Sequence, residues 1–302
     1  MNASYLLGMA CSALIAAGTH FLLARQLKKR GLLCLLTLVF GTALGIACAR
    51  LFYCLIEWEY VAAEGFWETL FSDNMEWVSY YGGMAGVVFG AALVALCTGN
   101  KPMAALNAYA PAGALMAALA RFNEYFLGTI CTGKYIEQET WQFFPVAISE
   151  DYYGSKEWYL AVFVFAGTFY LAVFLFSLLK LREKRFIRTL FYLCLPQIFC
   201  ESLRSISLIW TQFVRVEQLA CMVCMEVILV LYGLWAGKGA KKRFVPALAG
   251  LLCAGVFVAL EFALDKTDLP HVLTYSVMIL FLGVLAWMEC WGFKLSRGQK
   301  PE

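Results

Sequence analysis

Charge is scarce in this chain. Only 15% of its 302 residues are Asp, Glu, Lys or Arg, against 62% hydrophobic and 16% aromatic residues, and the mean hydropathy is +0.71. That scarcity excludes a soluble globular domain, and runs of 18 or more apolar residues read as membrane spans. No basic region precedes the first apolar run, so the segment from Tyr5 reads as a retained span and not as a signal peptide. No internal repeat stands out, which leaves an inverted-repeat transporter without direct support. Histidine is down to two copies, His20 and His271, and neither lies level with the arginines described below, so neither is a strong base. Cys221-x-x-Cys224 lacks a second pair and sits in an apolar helix, so no metal and no cofactor are expected. Of the twelve cysteines, eleven lie in apolar spans, where Cys behaves as a small apolar residue. Only Cys131 falls in an outer loop, so no structural disulfide is expected.

What charge there is has a pattern. Basic residues cluster in alternate short loops (Arg25 to Arg30, Lys101, Lys180 to Arg188, Lys238 to Arg243) and in the tail at Lys294, Arg297 and Lys300. The intervening loops are acidic. Topology explains this alternation, and no nucleic acid is implied; the positive-inside rule puts the N-terminus outside and the C-terminus in the cytoplasm. The expected fold is an all-α polytopic membrane protein of about nine spans with a small extracytoplasmic head at 128–158. The spans run Tyr5–Ala24, Gly31–Ile56, Tyr81–Cys97, Met103–Leu127, Tyr159–Leu179, Thr189–Trp210, Leu219–Ala236, Phe244–Leu264 and Val272–Trp291. Glu57 to Glu76 hold six acids with Trp58, Trp67 and Phe71 and no basic residue, which suits an amphipathic helix at the outer headgroups. Gly41 and Gly45, and Gly82, Gly86 and Gly90, are four-residue small stripes for close backbone approach. Pro111 is expected to kink span four.

The hairpin from Trp77 to Leu127 holds a pair that needs a reason, Arg121 and Glu124. Arg50, Arg121 and Arg204 fall in the outer third of three different spans. Each would cost about 2.5–3.5 kcal/mol near a helix centre. Glu124 and Glu201 stand three residues from Arg121 and Arg204, where side chains on one helix face can meet. One reading makes these ion pairs and snorkelling arginines that only orient helices. A sharper one has the arginines converge on an anion at headgroup level, a lipid phosphate, whose oxygens the guanidinium fork matches. A third is an ion or proton path through Glu201, Glu226, Glu261 and Glu289, the last three having no basic partner within their own spans.

Four segments in order resemble the bacterial prolipoprotein diacylglyceryl transferases. Ala49-Arg50-Leu-Phe-Tyr53 is similar to the family's Gly-Arg-x-Gly-Tyr, and Ser79-Tyr80-Tyr81-Gly82-Gly83-Met-Ala-Gly86 to its Ser-Phe-His-Gly-Gly-x-x-Gly. Ala110-Pro111, followed by Ala120-Arg121-Phe-Asn123-Glu124-Tyr-Phe-Leu-Gly128, is similar to Ala-Pro and Gly-Arg-x-Gly-Asn-Phe-x-Asn-Gly. Glu201-Ser-Leu-Arg204 is similar to Glu-Phe-Phe-Arg. The likeness covers roughly Gly31 to Ala236, within a transferase-like membrane domain at 1–236; 237–302 adds two helices and a tail. Four positions depart: Tyr81 stands for the family His, Glu124 for an Asn, Thr129 for an acid and Gln197 for an Arg.

The resemblance implies a transferase of the bacterial plasma membrane that moves diacylglyceryl from phosphatidylglycerol to the cysteine thiol of a lipoprotein signal peptide's lipobox. Its partners are therefore that lipid, that peptide and the surrounding membrane lipids. Arg50, Arg121 and Arg204, with Tyr53 and Asn123, are expected on the lipid phosphate. Tyr81, Glu124 and Glu201 are expected in the chemistry, Tyr81 or Glu124 replacing the His, and Gly82, Gly83 and Gly86 in backbone approach. The alternatives are a catalytically degenerate relative that binds phospholipid or lipopeptide, and a small transporter.

Overall fold

A computed structural model describes residues 3–72, 78–152, 155–205, 209–210, 214–236, 242–267 and 270–297, with the side chains of Thr129, Ile130, Cys131, Tyr152, Ile209, Trp210, Val214 and Asp265 outside the described ones. Asp73 and Glu76 of the acidic stretch, Trp77 at the start of the hairpin, and Lys238, Lys241 and Lys300 of the basic clusters also lie outside the described residues.

The helices are α1 (Ala3–Leu23), α2 (Arg30–Ile56), α3 (Trp58–Glu64), α4 (Phe66–Leu70), α5 (Tyr80–Cys97), α6 (Pro102–Asn123), α7 (Val162–Leu179), α8 (Arg185–Leu203), α9 (Val216–Trp235), α10 (Val245–Lys266) and α11 (His271–Arg297). Among the described residues nine of them, all but α3 and α4, are long and apolar enough to cross a membrane. Hydrocarbon offers backbone groups no hydrogen-bond partner, so a span must satisfy them within itself, and a helix does. Large apolar side chains such as Leu14, Leu55, Phe89, Leu252 and Leu280 stand exposed on these helices. In water they would form adhesive patches; against lipid they are at home.

Two expected span ends fall on strands instead of helix. Tyr159 and Leu160 belong to a strand, and the fifth span begins at Val162. The sixth ends at Leu203, well short of Trp210, which lies in a two-residue strand. Short apolar and aromatic runs look alike in strand and helix, so the pattern could not separate them. α6 runs on through Pro111 and α8 through Pro196 as helix.

The chain divides into two compact units, Met1–Leu127 with Tyr170–Phe186, and Gly128–Phe169 with Ile187–Glu302. In the first, α2 and α5 run backbone against backbone along the glycine stripe. A Cβ on Gly86 would stand 2.3 Å from the Leu44 carbonyl oxygen, and one on Gly82 2.7 Å from that of Cys48. Gly83 is less constrained, with ordinary contacts at 3.5 Å and beyond. At one end of this unit Asn100 ties two basic loops together, accepting from Lys28 N at 2.8 Å and donating to Lys28 O at 3.0 Å. Asn107 accepts from Phe186 N at 2.8 Å, bringing a third basic loop to the unit. α3 and α4 expose Trp58, Trp67 and Phe71, with Trp67 and Phe71 stacked at 6.1 Å.

The second unit contains the small head. Strands β1 (Ala147–Tyr152) and β2 (Ser155–Leu160) form an antiparallel hairpin, and Tyr135 bridges to Tyr159 on its flank. Gly128, at φ +70°, turns the chain from α6 into this head, a conformation that L side chains avoid. The head is stitched to the end of α8: Lys134 N donates to Leu203 O and Ser205 N to Thr132 O, each at 3.2 Å. Strands β3 (Ile209–Trp210) and β4 (Val214–Arg215) then lead into α9.

Candidate functional site

The first unit builds its polar centre on the ends of α2, α5 and α6. Ser79 N donates to the Ala49 carbonyl at 3.0 Å, and the Ser79 side chain caps α5 by accepting from Gly82 N at 3.2 Å. This anchors the Ser-Tyr-Tyr-Gly-Gly segment beside Ala49-Arg50. Arg50 is buried and donates from Nη2 to the Ser72 carbonyl at 2.8 Å, so it also ties down the segment that follows α4. Tyr53, one turn along α2, is buried as well.

Arg121, in the last turn of α6, is only 1% exposed. Its Nη1 donates to the Glu124 carboxylate, as the three-residue spacing implies. Its guanidinium carbon lies 4.0 Å from the Tyr80 ring centre and 5.9 Å from that of Tyr170. Rings stabilise a desolvated guanidinium through their negative faces, so the cation is held by one carboxylate and two aromatic walls. Tyr81 abuts Tyr80 edge-on at 5.5 Å, its hydroxyl buried. Asn123 turns to α1 instead: it donates to Ser12 Oγ at 2.8 Å and reaches Met9 Sδ at 3.8 Å, where Gly8 leaves room for it.

In the second unit, the end of α8 carries Gln197, Glu201 and Arg204. Gln197 donates to Glu201 Oε2 at 2.9 Å, and Arg204 Nε stands 3.8 Å from the same oxygen. Gln197 therefore supports Glu201 as a neutral donor at the position where a cation was expected from the family pattern. The described residues thus bring Arg50, Tyr81, Arg121 and Glu124 into one unit, and Glu201 with Arg204 into the other.

The family model for prolipoprotein diacylglyceryl transferase matches residues 3–235. The chain belongs to the prolipoprotein diacylglyceryl transferase family. No curated protein and no solved structure matches it. Membership makes the chain a transferase in kind, one whose family acts on lipid donors and prolipoproteins. The segments that resemble the family's motifs hold Arg50, Tyr81, Arg121 and Glu201, and each is fixed locally by hydrogen bonds or packing.

Sequence reasoning missed four participants. Tyr80 and Tyr170 wall the Arg121 charge, and Arg215 and Gln218 hold the end of α8. Arg215 and Gln218 sit three residues apart at the mouth of an apolar span, a signal of the same kind as Arg121 and Glu124. The carboxylates of the last spans find partners on neighbouring helices. Glu289, 0% exposed, accepts from Arg188 Nε at 2.7 Å and Nη2 at 3.2 Å, from Tyr192 at 2.8 Å and from Tyr232 at 3.2 Å. Glu261 pairs with Arg215 and Gln218. Both are thus engaged in interhelical ties. Glu226 differs: its Oε2 has no hydrogen-bond partner and borders a small cavity with Met222, Gly250 and Phe257. No group of His, Cys, Asp and Glu among the described residues has metal-site geometry.

Proposed function

We propose that the protein moves the diacylglyceryl group of phosphatidylglycerol to the lipobox cysteine thiol of a lipoprotein signal peptide. The observation that carries this reading is the buried Arg121–Glu124 pair, set on a family segment and walled by Tyr80 and Tyr170. A guanidinium with a single carboxylate and aromatic neighbours is a phosphate receptor held closed by an anion of its own chain.

In the proposed reaction the lipid phosphate takes Arg121 from Glu124. Arg50, in the same unit as Arg121, contributes further positive charge to phosphate binding. The freed Glu124 carboxylate accepts the thiol proton. The thiolate sulfur attacks the terminal glyceryl carbon, a C–S bond forms, and the C–O bond to phosphate breaks. Glycerol phosphate leaves with the bonding electron pair, and its added negative charge falls on the arginines. A thiol of ordinary pKa near 8.5 needs such a base, and a phenol near 10 is a poor one, so Glu124 and not Tyr81 takes the proton. Tyr81 packs against Tyr80, which faces Arg121. Glu201 orients Arg204. The protein spans the bacterial plasma membrane with its N-terminus outside, so that the ends of α2 and α6 reach the outer leaflet.

The test is a mass-shift assay with purified protein, phosphatidylglycerol and a lipobox peptide. A thioether-linked diacylglyceryl peptide is the expected product. Its absence at every pH, with a family enzyme that carries the His active alongside, refutes the transfer. One observation favours a second reading, a degenerate relative that only binds phospholipid or lipopeptide: Arg121 is already neutralised by Glu124. Phospholipid that co-purifies, is lost on Arg121→Ala and never turns over would select it.

A further inference from the structure

The end of α8 is an awkward place for a site. A helix terminus leaves carbonyls without intrahelical partners, and apolar surroundings supply none. Two side chains at the start of α9 take up carbonyls of this turn. Arg215 Nη1 donates to the Glu201 carbonyl at 2.5 Å and to the Arg204 carbonyl at 3.2 Å. Gln218 Nε2 donates to the Ile198 carbonyl at 2.8 Å and reaches Ser202 Oγ at 3.4 Å. One carboxylate then holds both. Glu261 Oε1 accepts from Gln218 at 2.7 Å, and Glu261 Oε2 lies 3.5 Å from Arg215 Nε. Glu261 is 3% exposed and belongs to α10, beyond the residues 3–235 that match the family.

We propose that Glu261 is a positioning residue that sets the Glu201–Arg204 turn through Arg215 and Gln218, making the helices after the family-matched segment a working part of the transferase. The functional meaning of that turn rests on the transfer reading above; the brace itself rests on the contacts just given. Its physical basis is charge placement. Arg215 is buried and must have an anionic partner. With Glu261 present, its fork is shared between that carboxylate and two main-chain carbonyls. Without Glu261, the guanidinium competes with Arg204 for the carboxylate of Glu201, the residue whose carbonyl it already binds. Gln218 at the same time loses the acceptor that aims its amide at Ile198. The turn then keeps its helix but loses the fixed orientation of Glu201 and Arg204.

Glu289 provides the internal contrast. It too is a buried carboxylate on an added helix, paired with an arginine of α8, but its partner is Arg188 near the start of that helix. It fastens α11 to α8 without touching the Glu201–Arg204 turn.

The experiment compares full-length wild type, Glu261→Ala, Glu261→Gln and Glu289→Gln in nanodiscs containing phosphatidylglycerol. Backbone hydrogen exchange is followed over 201–205 and 188–192, alongside thioether formation from a lipobox peptide. Glu261→Ala is expected to raise exchange at 201–205 and leave 188–192 unchanged. It should lower kcat about 10- to 100-fold, the penalty of a misplaced group, with KM for the lipid within about twofold. Glu261→Gln keeps an acceptor for Gln218 and should show the same pattern more weakly; it stands in if the alanine variant does not fold. Glu289→Gln should raise exchange at 188–192 and keep kcat. Unchanged exchange at 201–205 in both Glu261 variants overturns the proposal. So does an equal loss of kcat in Glu289→Gln at matched thermal stability, which would mean general loosening. If wild type forms no thioether, the transfer reading fails separately, and the exchange pattern alone decides the brace.

Discussion

Replacing Glu124 by Gln separates the structural and chemical work of the Arg121–Glu124 pair. Arg121 is 1% exposed, so stripping its counter-ion leaves a buried cation. Removing one partner of a buried pair outright, as in Glu124→Ala, costs about 3–5 kcal/mol. Gln retains a carbonyl oxygen at nearly the same place, and a hydrogen bond to a charged group returns about 1.5–3 kcal/mol of that. The expected loss for Glu124→Gln is therefore about 1–3 kcal/mol, small enough for the protein to be purified and assayed. The amide has no basicity at neutral pH, so the proton acceptor is gone, and kcat should fall by about 10²- to 10⁴-fold. The assay is thioether formation in phosphatidylglycerol nanodiscs, with monodispersity and thermal unfolding measured on the same sample. The family pattern offers a rescue: Tyr81→His with Glu124→Asn supplies the imidazole that the family uses and removes the competing carboxylate from Arg121. That double variant should regain activity lost by Glu124→Asn alone. A well-folded Glu124→Gln protein with kcat within about threefold of wild type would refute the assignment of Glu124 as proton acceptor.

Other outcomes follow from packing and pairing. Gly86→Ala places a Cβ 2.3 Å from the Leu44 carbonyl oxygen and should force α2 from α5 at a cost of about 1–3 kcal/mol or more. Gly18→Ala, with nothing within 4 Å of the added carbon, should stabilise α1 by about 0.5–1 kcal/mol; parallel thermal unfolding checks both. Glu289→Ala strands Arg188 and should destabilise the protein by about 3–5 kcal/mol. Adding Arg188→Met should recover most of that loss, since it removes the unpaired charge. Asn100→Ala removes both hydrogen bonds to Lys28 and should speed exchange at the Lys28 amide, with a stability loss of about 1–3 kcal/mol.

Much of this was legible in the order of residues, and the reason differs from part to part. The nine spans stood out because runs of apolar residues are interrupted by charged loops. The glycine stripe of α5 was visible as a four-residue spacing, and its cause is the Leu44 and Cys48 carbonyls it lies against. Arg121 and Glu124 were readable as a pair because three residues along a helix bring side chains together. Pairings between helices were not. Arg188 and Glu289 are 101 residues apart and Asn123 and Ser12 are 111 apart, and no spacing rule connects them. Asn123 consequently reads as a phosphate ligand in sequence, whereas its amide is engaged by α1. The ends of spans five and six were misplaced for another reason. Tyr159 and Leu160 are apolar enough for a span, but their main chain is committed to pairing with Ile148 and Ala147.

The most direct test follows the leaving group. Purified protein is given phosphatidylglycerol labelled in its glycerol phosphate headgroup, together with a lipobox peptide or its Cys→Ser counterpart. Labelled glycerol phosphate should be released in a one-to-one ratio with thioether product, only with the cysteine peptide, and this release should be lost with Arg121→Ala. Lipid that binds and returns intact, with no glycerol phosphate released, would contradict the transfer reading.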